Sequence, residues 1–297
     1  MIENFPEEPN QQSNKESLAE RWPANVVVRL KFTRHGKRDT DGNLLDAGRE
    51  ETRQVAHGSE EGDREYDAVK AVGSTAGPKN DDGYARSTET ADIYAHEIAG
   101  HDQFTTRTDP LLSYETMKTK FPFDAKEMEK SFLPDSIDLL SEDEKNAALK
   151  KAQQKVMDHL VALDTPEATT FKREAAGAFA KIIEHYIKLA KRVKPDSRVL
   201  FVLGTHTGVM EFLLQQGLSQ NVDDERKEGI ESFSEIGGTF ATSESYNVDI
   251  ETDEEGNLKP LRVIFDGDGR PTHDMYIDIA KLAELSDDYE SLQSASN

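Results

Sequence analysis

Cysteine is missing altogether from the 297 residues. Disulfide frameworks, thiolate nucleophiles and cysteine-ligated zinc are excluded with it. Basic charge is scarce: 36 lysines and arginines face 58 aspartates and glutamates, a net charge of −22. Nucleic acid and anionic membranes bind through basic surface, so neither is an expected partner. No apolar run is long enough to span a bilayer. The opening Met1-Ile2-Glu3-Asn4-Phe5-Pro6-Glu7-Glu8 lacks the basic region and apolar core of a secretory signal. The expectation is a soluble, cytoplasmic protein. Its acidity suits either high solubility or a salty cytoplasm. Internal repeats are also lacking.

The chain is long enough for a sizeable core in one large domain or two small ones. Residues 1–24, rich in Glu, Pro, Asn, Gln and Ser, read as a disordered tail, and a single domain is expected from residue 25 onward. Val26-Val27-Val28-Arg29-Leu30-Lys31 reads as a buried strand, ending in the turn Arg34-His35-Gly36. A polar helix follows Leu45-Asp46-Ala47-Gly48 and runs to about His57. Ala68–Val72 reads as a second strand, and Ser87 or Thr88 as the cap of the next helix. Ala91, Tyr94, Ala95 and Ile98 give that helix one apolar face.

A short strand is expected at Phe104–Thr108. From about 109 to 165 the pattern is helical and charged, with a capping box at Ser141-Glu142-Asp143-Glu144 and a buried side of Leu149, Val156 and Leu160. This segment reads as an inserted helical cap over the site, with Met117, Lys118 and Lys120 as candidate substrate contacts. A long helix over 166–193 carries the stripe Phe171, Ala175, Ala178, Ile182, Tyr186 and Leu189. Val199–Gly204 is a continuously apolar run, as in a central parallel strand, followed by Thr205-His206-Thr207-Gly208 and an apolar helix to Gln216. Two strands near Tyr246–Ile250 and Leu261–Phe265 suggest an edge hairpin.

Strands alternating with helices predict an α/β fold, a three-layer αβα sandwich on a mixed, mostly parallel sheet. Ligands in such sheets bind beyond the carboxyl ends of the strands. His35, the Ser74-Thr75 turn and His206 all lie just past such ends. Neutral imidazole is a nucleophile, and arginine holds phosphate oxygens through a planar fork.

Arg34-His35-Gly36 after the first strand, Arg86-Ser87-Thr88-Glu89 opening a helix after the second, and His206 after the central strand together resemble the histidine phosphatase superfamily. The resemblance covers roughly residues 26–250. It implies that His35 attacks phosphorus and becomes a phosphohistidine, that Arg34 and Arg86 hold the phosphoryl oxygens, and that His206 completes the pocket. Arg38 departs from the mutase branch, where a hydroxyl residue stands at that spacing. It is similar to the acid phosphatases and the two-histidine phosphatases, and is taken as a third phosphate ligand. Thr207-Gly208 after His206 is not the His-Asp of the acid phosphatases, so the proton donor comes from elsewhere. Glu115 stands where the other branch carries a glutamate, with Asp109 as the fallback.

The implied function is metal-independent, cofactor-free hydrolysis of a small-molecule or protein phosphate ester. Phosphoglycerate-type phosphoryl transfer and a non-catalytic phospho-ligand binding protein of the same fold are the alternatives. No metal site is expected. The calcium-loop-like Asp266-Gly267-Asp268-Gly269 has Ile277 where the terminal glutamate belongs, and His96 and His101 are poorly spaced to share an ion.

Overall fold

A computed structural model describes residues 22–39, 41–100, 105–113, 117, 121–222, 225–267, 269–273 and 275–295. Most of the expected tail therefore lies outside the described residues, as do Glu115, Lys118 and Lys120. The first strand, β1 (Val27–Arg34), leads through the histidine turn to α1 (Asp46–His57), β2 (Ala68–Gly73), α2 (Arg86–Ala99) and the short β3 (Arg107–Thr108). The cap helices α3 (Ala125–Phe132) and α4 (Glu142–Ala162) follow, then α5 (Pro166–Ala190), β4 (Arg198–Thr205) and α6 (Met210–Gly217). The chain ends with β5 (Leu218–Val222), β6 (Glu225–Glu228), β7 (Ser245–Glu251), β8 (Leu261–Phe265), β9 (Met275–Ile277) and α7 (Ile279–Ser294).

The nine strands among the described residues form one mixed sheet in the order β3-β2-β4-β1-β7-β8-β9-β5-β6. The half from β3 to β1 is parallel and carries the strand ends that matter for function. From β1 through β6 the pairing is antiparallel. The expected edge hairpin is in fact internal: β7 pairs with β1, and β8 with β9. Asn247 and Asp249 on β7 give it the alternation of a half-exposed strand, yet both are buried.

One face of the sheet packs on α5, α6 and α7. Val28, Leu30 and Phe32 from β1 and Tyr246, Val248 and Ile250 from β7 meet Phe171, Ala175, Phe179 and Ile182 from α5. The Phe32 ring lies 5.4 Å from Phe179 and 5.1 Å from Tyr246. The expected stripe of α5 is buried from Phe171 to Tyr186. Thr165 caps this helix, with Pro166 in its first turn. The other face is covered by α1 and α2 over a smaller cluster of Ala56, Val69, Ala71, Ala91, Tyr94, Ala95, Leu200 and Val202.

At the amino end of β1, Trp22 packs against the core, with the Lys191 ammonium 5.0 Å from its ring centre. Thr252 donates to Pro23 O at 2.6 Å, and Asn25 N donates to Asp253 O at 3.0 Å.

Beneath β1 and β7 the second face is ionic. Arg29 donates two bonds to Asp249 (2.7 and 2.8 Å) and one to Glu61 (2.9 Å). Lys31 bonds Glu61 at 3.0 Å and also Asp266. Tyr94 and Asn247 donate to the same Glu61 carboxylate at 3.2 and 3.1 Å. Burial pushes the Glu61 pKa up, but Lys31 and Arg29 outweigh it and hold the group down at about 2.

Glu61→Gln removes the counter-charge shared by two buried cations, and breaking a buried pair costs ~3–5 kcal/mol. Urea unfolding should show that loss as a lower midpoint with an unchanged m-value. A loss of ~1 kcal/mol or less, as at an exposed pair, would refute a dehydrated cluster. The ionised carboxylate stabilises the fold above its unfolded value of 4.5, and that contribution is lost as pH falls through about 2. The wild type should therefore weaken in this acid window by more than the variant does.

Candidate active site

The parallel pairing of β1 with β4 sets Arg34 opposite Thr205. The next residue on each strand is a histidine, and His35 N donates to Thr205 O at 3.1 Å. The two imidazoles meet edge to face, ring centres 5.2 Å apart, and both are buried.

Gly36 follows because α1 passes too close for a side chain: a Cβ there would lie 2.9 Å from Gly48 O. Its N–H donates to Thr90 Oγ1 at 3.1 Å, which ties the turn to α2. The start of α2 sits directly on the ends of β2 and β4. These strands pair Gly73 with Gly204, and a Cβ at Gly204 would lie 1.9 Å from Ser87 O. This seat brings Arg86, the first residue of α2, to the histidines.

Ser87 and Thr88 are not the expected caps. The preceding residue at the helix boundary is Ala85, which makes no side-chain cap, and both hydroxyls donate to Ser74 O instead (3.3 and 2.9 Å). Ser74 Oγ, which accepts from Ala76 N, lies 3.1 Å from His206 Nε2.

These elements enclose a cavity of about 460 Å³, in the range of small-molecule sites. Arg34, His35, Arg38, Arg86 and His206 all line it. Of the six site residues expected from sequence, these five come together. Glu115 lies outside the described residues. Asp109 does not line the cavity; its carboxylate accepts from Leu111 N at 2.9 Å and caps the turn Pro110–Leu112.

Half-buried Arg34 donates to Phe240 O at 2.6 Å and to Gln153 Oε1 at 3.2 Å. Desolvation lowers its pKa, and the carboxylates of Glu211, Glu244 and Glu129 offset only part of that. Arg86 donates to Gly42 O at 3.3 Å. Arg38 is exposed at the rim, where its strand-like bridge to Leu44 holds the backbone.

Burial first, then His206, Arg86 and Arg34, push the His35 pKa well below the usual histidine value. Burial, Arg86 and Arg34 push His206 down to about 3. Both rings are therefore neutral at neutral pH. His35 Nδ1 lies 2.8 Å from Gly36 O. A carbonyl only accepts, so Nδ1 carries the proton and the Nε2 lone pair is available for attack.

Sequence reading missed the cap's contribution: Glu129 from α3, with Leu149 and Gln153 from α4, also lines the cavity. One signal was present. Gln153 falls four residues after Leu149, on the face that continues through Val156 and Leu160, so it interrupts an otherwise apolar stripe with an amide. Glu129 carries no such mark among the many acids of the segment. Among the described residues no group of three or more His, Cys, Asp and Glu side chains could hold a metal ion. No described helix is long and apolar enough to cross a membrane.

No protein-family model matches the chain, and no curated protein matches it. Among solved structures it is similar to a mycobacterial glucosyl-3-phosphoglycerate phosphatase in native form, at 16% identity and a TM-score of 0.32 over 82% of this chain and 99% of that one. The complex of that phosphatase with inorganic phosphate gives 17% and 0.33 over 81% and 96%. A chain described as mycobacterial hydrolase 1 gives 14% and 0.31 over 82% and 99%. Likeness at this level leaves the chemistry of the site to be read from its own side chains.

Proposed function

We propose that the protein is a phosphatase that hydrolyses phosphate monoesters through a phosphohistidine, without a metal ion or other cofactor. The observation that carries this reading is the His35 imidazole, neutral, with Nδ1 held by Gly36 O, in a cavity lined by Arg34, Arg38 and Arg86. Phosphoryl transfer asks for in-line placement and positive donors around the equatorial oxygens, and the arginines lining this cavity supply such donors.

In the first step the His35 Nε2 lone pair forms a bond to phosphorus while the bond to the ester oxygen breaks. The departing alkoxide takes a proton from a carboxylic acid, the role proposed for Glu115. In the second step the same carboxylate removes a proton from water. The water oxygen bonds to phosphorus, the P–N bond breaks, and inorganic phosphate leaves. Neutral His206 has Nε2 3.1 Å from Ser74 Oγ; with the Ser74 hydroxyl donating to Nε2, the ring proton sits on Nδ1, and we assign Nδ1–H the hydrogen bond to the transferring group.

Brief incubation with a labelled substrate and rapid quenching should leave an acid-labile phosphoryl group on the wild type and none on His35→Ala. Label on a serine, or full turnover without label, would reject the covalent route. EDTA should leave the rate unchanged.

The pH profile follows from the depressed histidines. kcat/KM reports the free enzyme, whose nucleophile must be neutral. After correction for the substrate's own ionisation near pH ~6, the rate should stay flat as pH falls through about 6.5, where an ordinary histidine would titrate. An acid limb at that ordinary value would show that the imidazole is not desolvated.

A leaving alkoxide needs a proton, whereas nitrophenolate scarcely does. Glu115→Gln should slow alkyl phosphates by ~10²–10⁴-fold and p-nitrophenyl phosphate far less. Equal losses for both would make Glu115 a shaping residue. No loss for either would place the acid elsewhere.

A further inference from the structure

One wall of the cavity is built by the cap, from Glu129, Leu149 and Gln153. Gln153 bridges it to the phosphate end: its Oε1 accepts from Arg34 Nη2 at 3.2 Å, and its Nε2 donates to Glu129 Oε1 at 3.4 Å. The amide is thus oriented by charges at both ends, oxygen toward the guanidinium and nitrogen toward the carboxylate. Glu129 stands one side chain away from a phosphate-binding arginine.

The charges around the cavity can be matched to a ligand. Among the described residues lining it, Arg34, Lys37, Arg38 and Arg86 are cationic, Asp39 and Glu129 are anionic, and both histidines are neutral. The excess is two positive charges, which one phosphate monoester dianion takes up. Lys37 is further engaged by Glu51 at 3.3 Å. Asp39 is tied down by Asn43, whose backbone N–H and side-chain amide donate to it at 2.8 and 3.2 Å. A second anionic group on the substrate would meet no surplus cation, and on the cap wall it would face the Glu129 carboxylate.

Resting on the phosphatase reading above, we propose that the site takes monoesters of small, hydroxylated, uncharged alcohols and rejects those bearing a second anionic group. Glu129 and Gln153 are the residues that set this preference. Glu129 accepts hydrogen bonds from the alcohol's hydroxyls, and the Leu149 side chain packs against its carbon skeleton. The proposal separates this site from phosphoglycerate-type transfer, whose substrate carries a carboxylate.

The test is a matched pair, glycerol 3-phosphate and 3-phosphoglycerate, which share three carbons and differ by a hydroxymethyl against a carboxylate. With p-nitrophenyl phosphate as the common reference, kcat/KM of the wild type should favour the glycerol ester by roughly ten- to a hundredfold, the size of one close like-charge contact in a partly screened site. Glu129→Gln should narrow the ratio, and Glu129→Lys should invert it. Preference of the wild type for phosphoglycerate, or an unshifted ratio in a Glu129→Lys protein whose melting shows it folded, overturns the proposal and leaves the phosphatase reading standing. Loss of turnover on all three esters in the wild type overturns both. Should the lysine variant fail to fold, the wild-type ratio and its change in the near-isosteric Glu129→Gln decide the matter.

Discussion

The parallel register between β1 and β4 is the constraint on which the site depends. Because Arg34 lies opposite Thr205, the residues that follow are two histidines leaving neighbouring strands side by side. A slip of one residue would turn every side chain of β1 to the opposite face. It would carry Phe32 off the α5 side and the Arg29–Lys31 pair out of its ionic cluster, so packing on both faces enforces the register that the chemistry requires.

That enforcement is unequal in kind. On the α5 face it is dispersion and hydrophobic burial, which tolerate exchange of similar shapes. On the α1 and α2 face it is a set of directional bonds among Arg29, Lys31, Glu61, Asp249 and Asp266. Dehydrated charges of this sort are weak evidence of net stability but fit one arrangement far better than its neighbours. The chain's overall acidity and its cationic cavity are then compatible. Most carboxylates spread over the surface, while Arg34 and Arg86 are placed by the loop carbonyls of Phe240 and Gly42.

The parallel half of the fold was legible because its strands are short apolar runs ending in glycine or histidine turns, and because α2 and α5 carry clear helical stripes. The antiparallel extension was not. β7 reads as half exposed because Asn247 and Asp249 are polar, and only the ionic partners contributed by Glu61, Arg29 and Lys31 explain their burial. β5, β6 and β9 are short or polar, and α7 has no strong apolar face, so periodicity says little about any of them. At the site, Arg34, His35, Arg38, Arg86 and His206 stand in motifs whose residue types are uncommon side by side. Glu129 and Gln153 reach the cavity through the docking of the cap, a tertiary event that local pattern does not encode.

The position of Trp22 has a practical consequence. The chain contains a single tryptophan, and it sits at the amino end of β1, with the cavity at the carboxyl end of the same strand. Eight residues of extended chain separate those ends, about 26 Å at ~3.3 Å per residue. Its indole is beside Lys191, on the segment just after α5. Intrinsic fluorescence of this protein is therefore a gauge of the amino end of a central strand: it senses melting of that strand and is blind to occupancy of the cavity. A dye or a new indole placed on the cap would be needed to watch a ligand arrive.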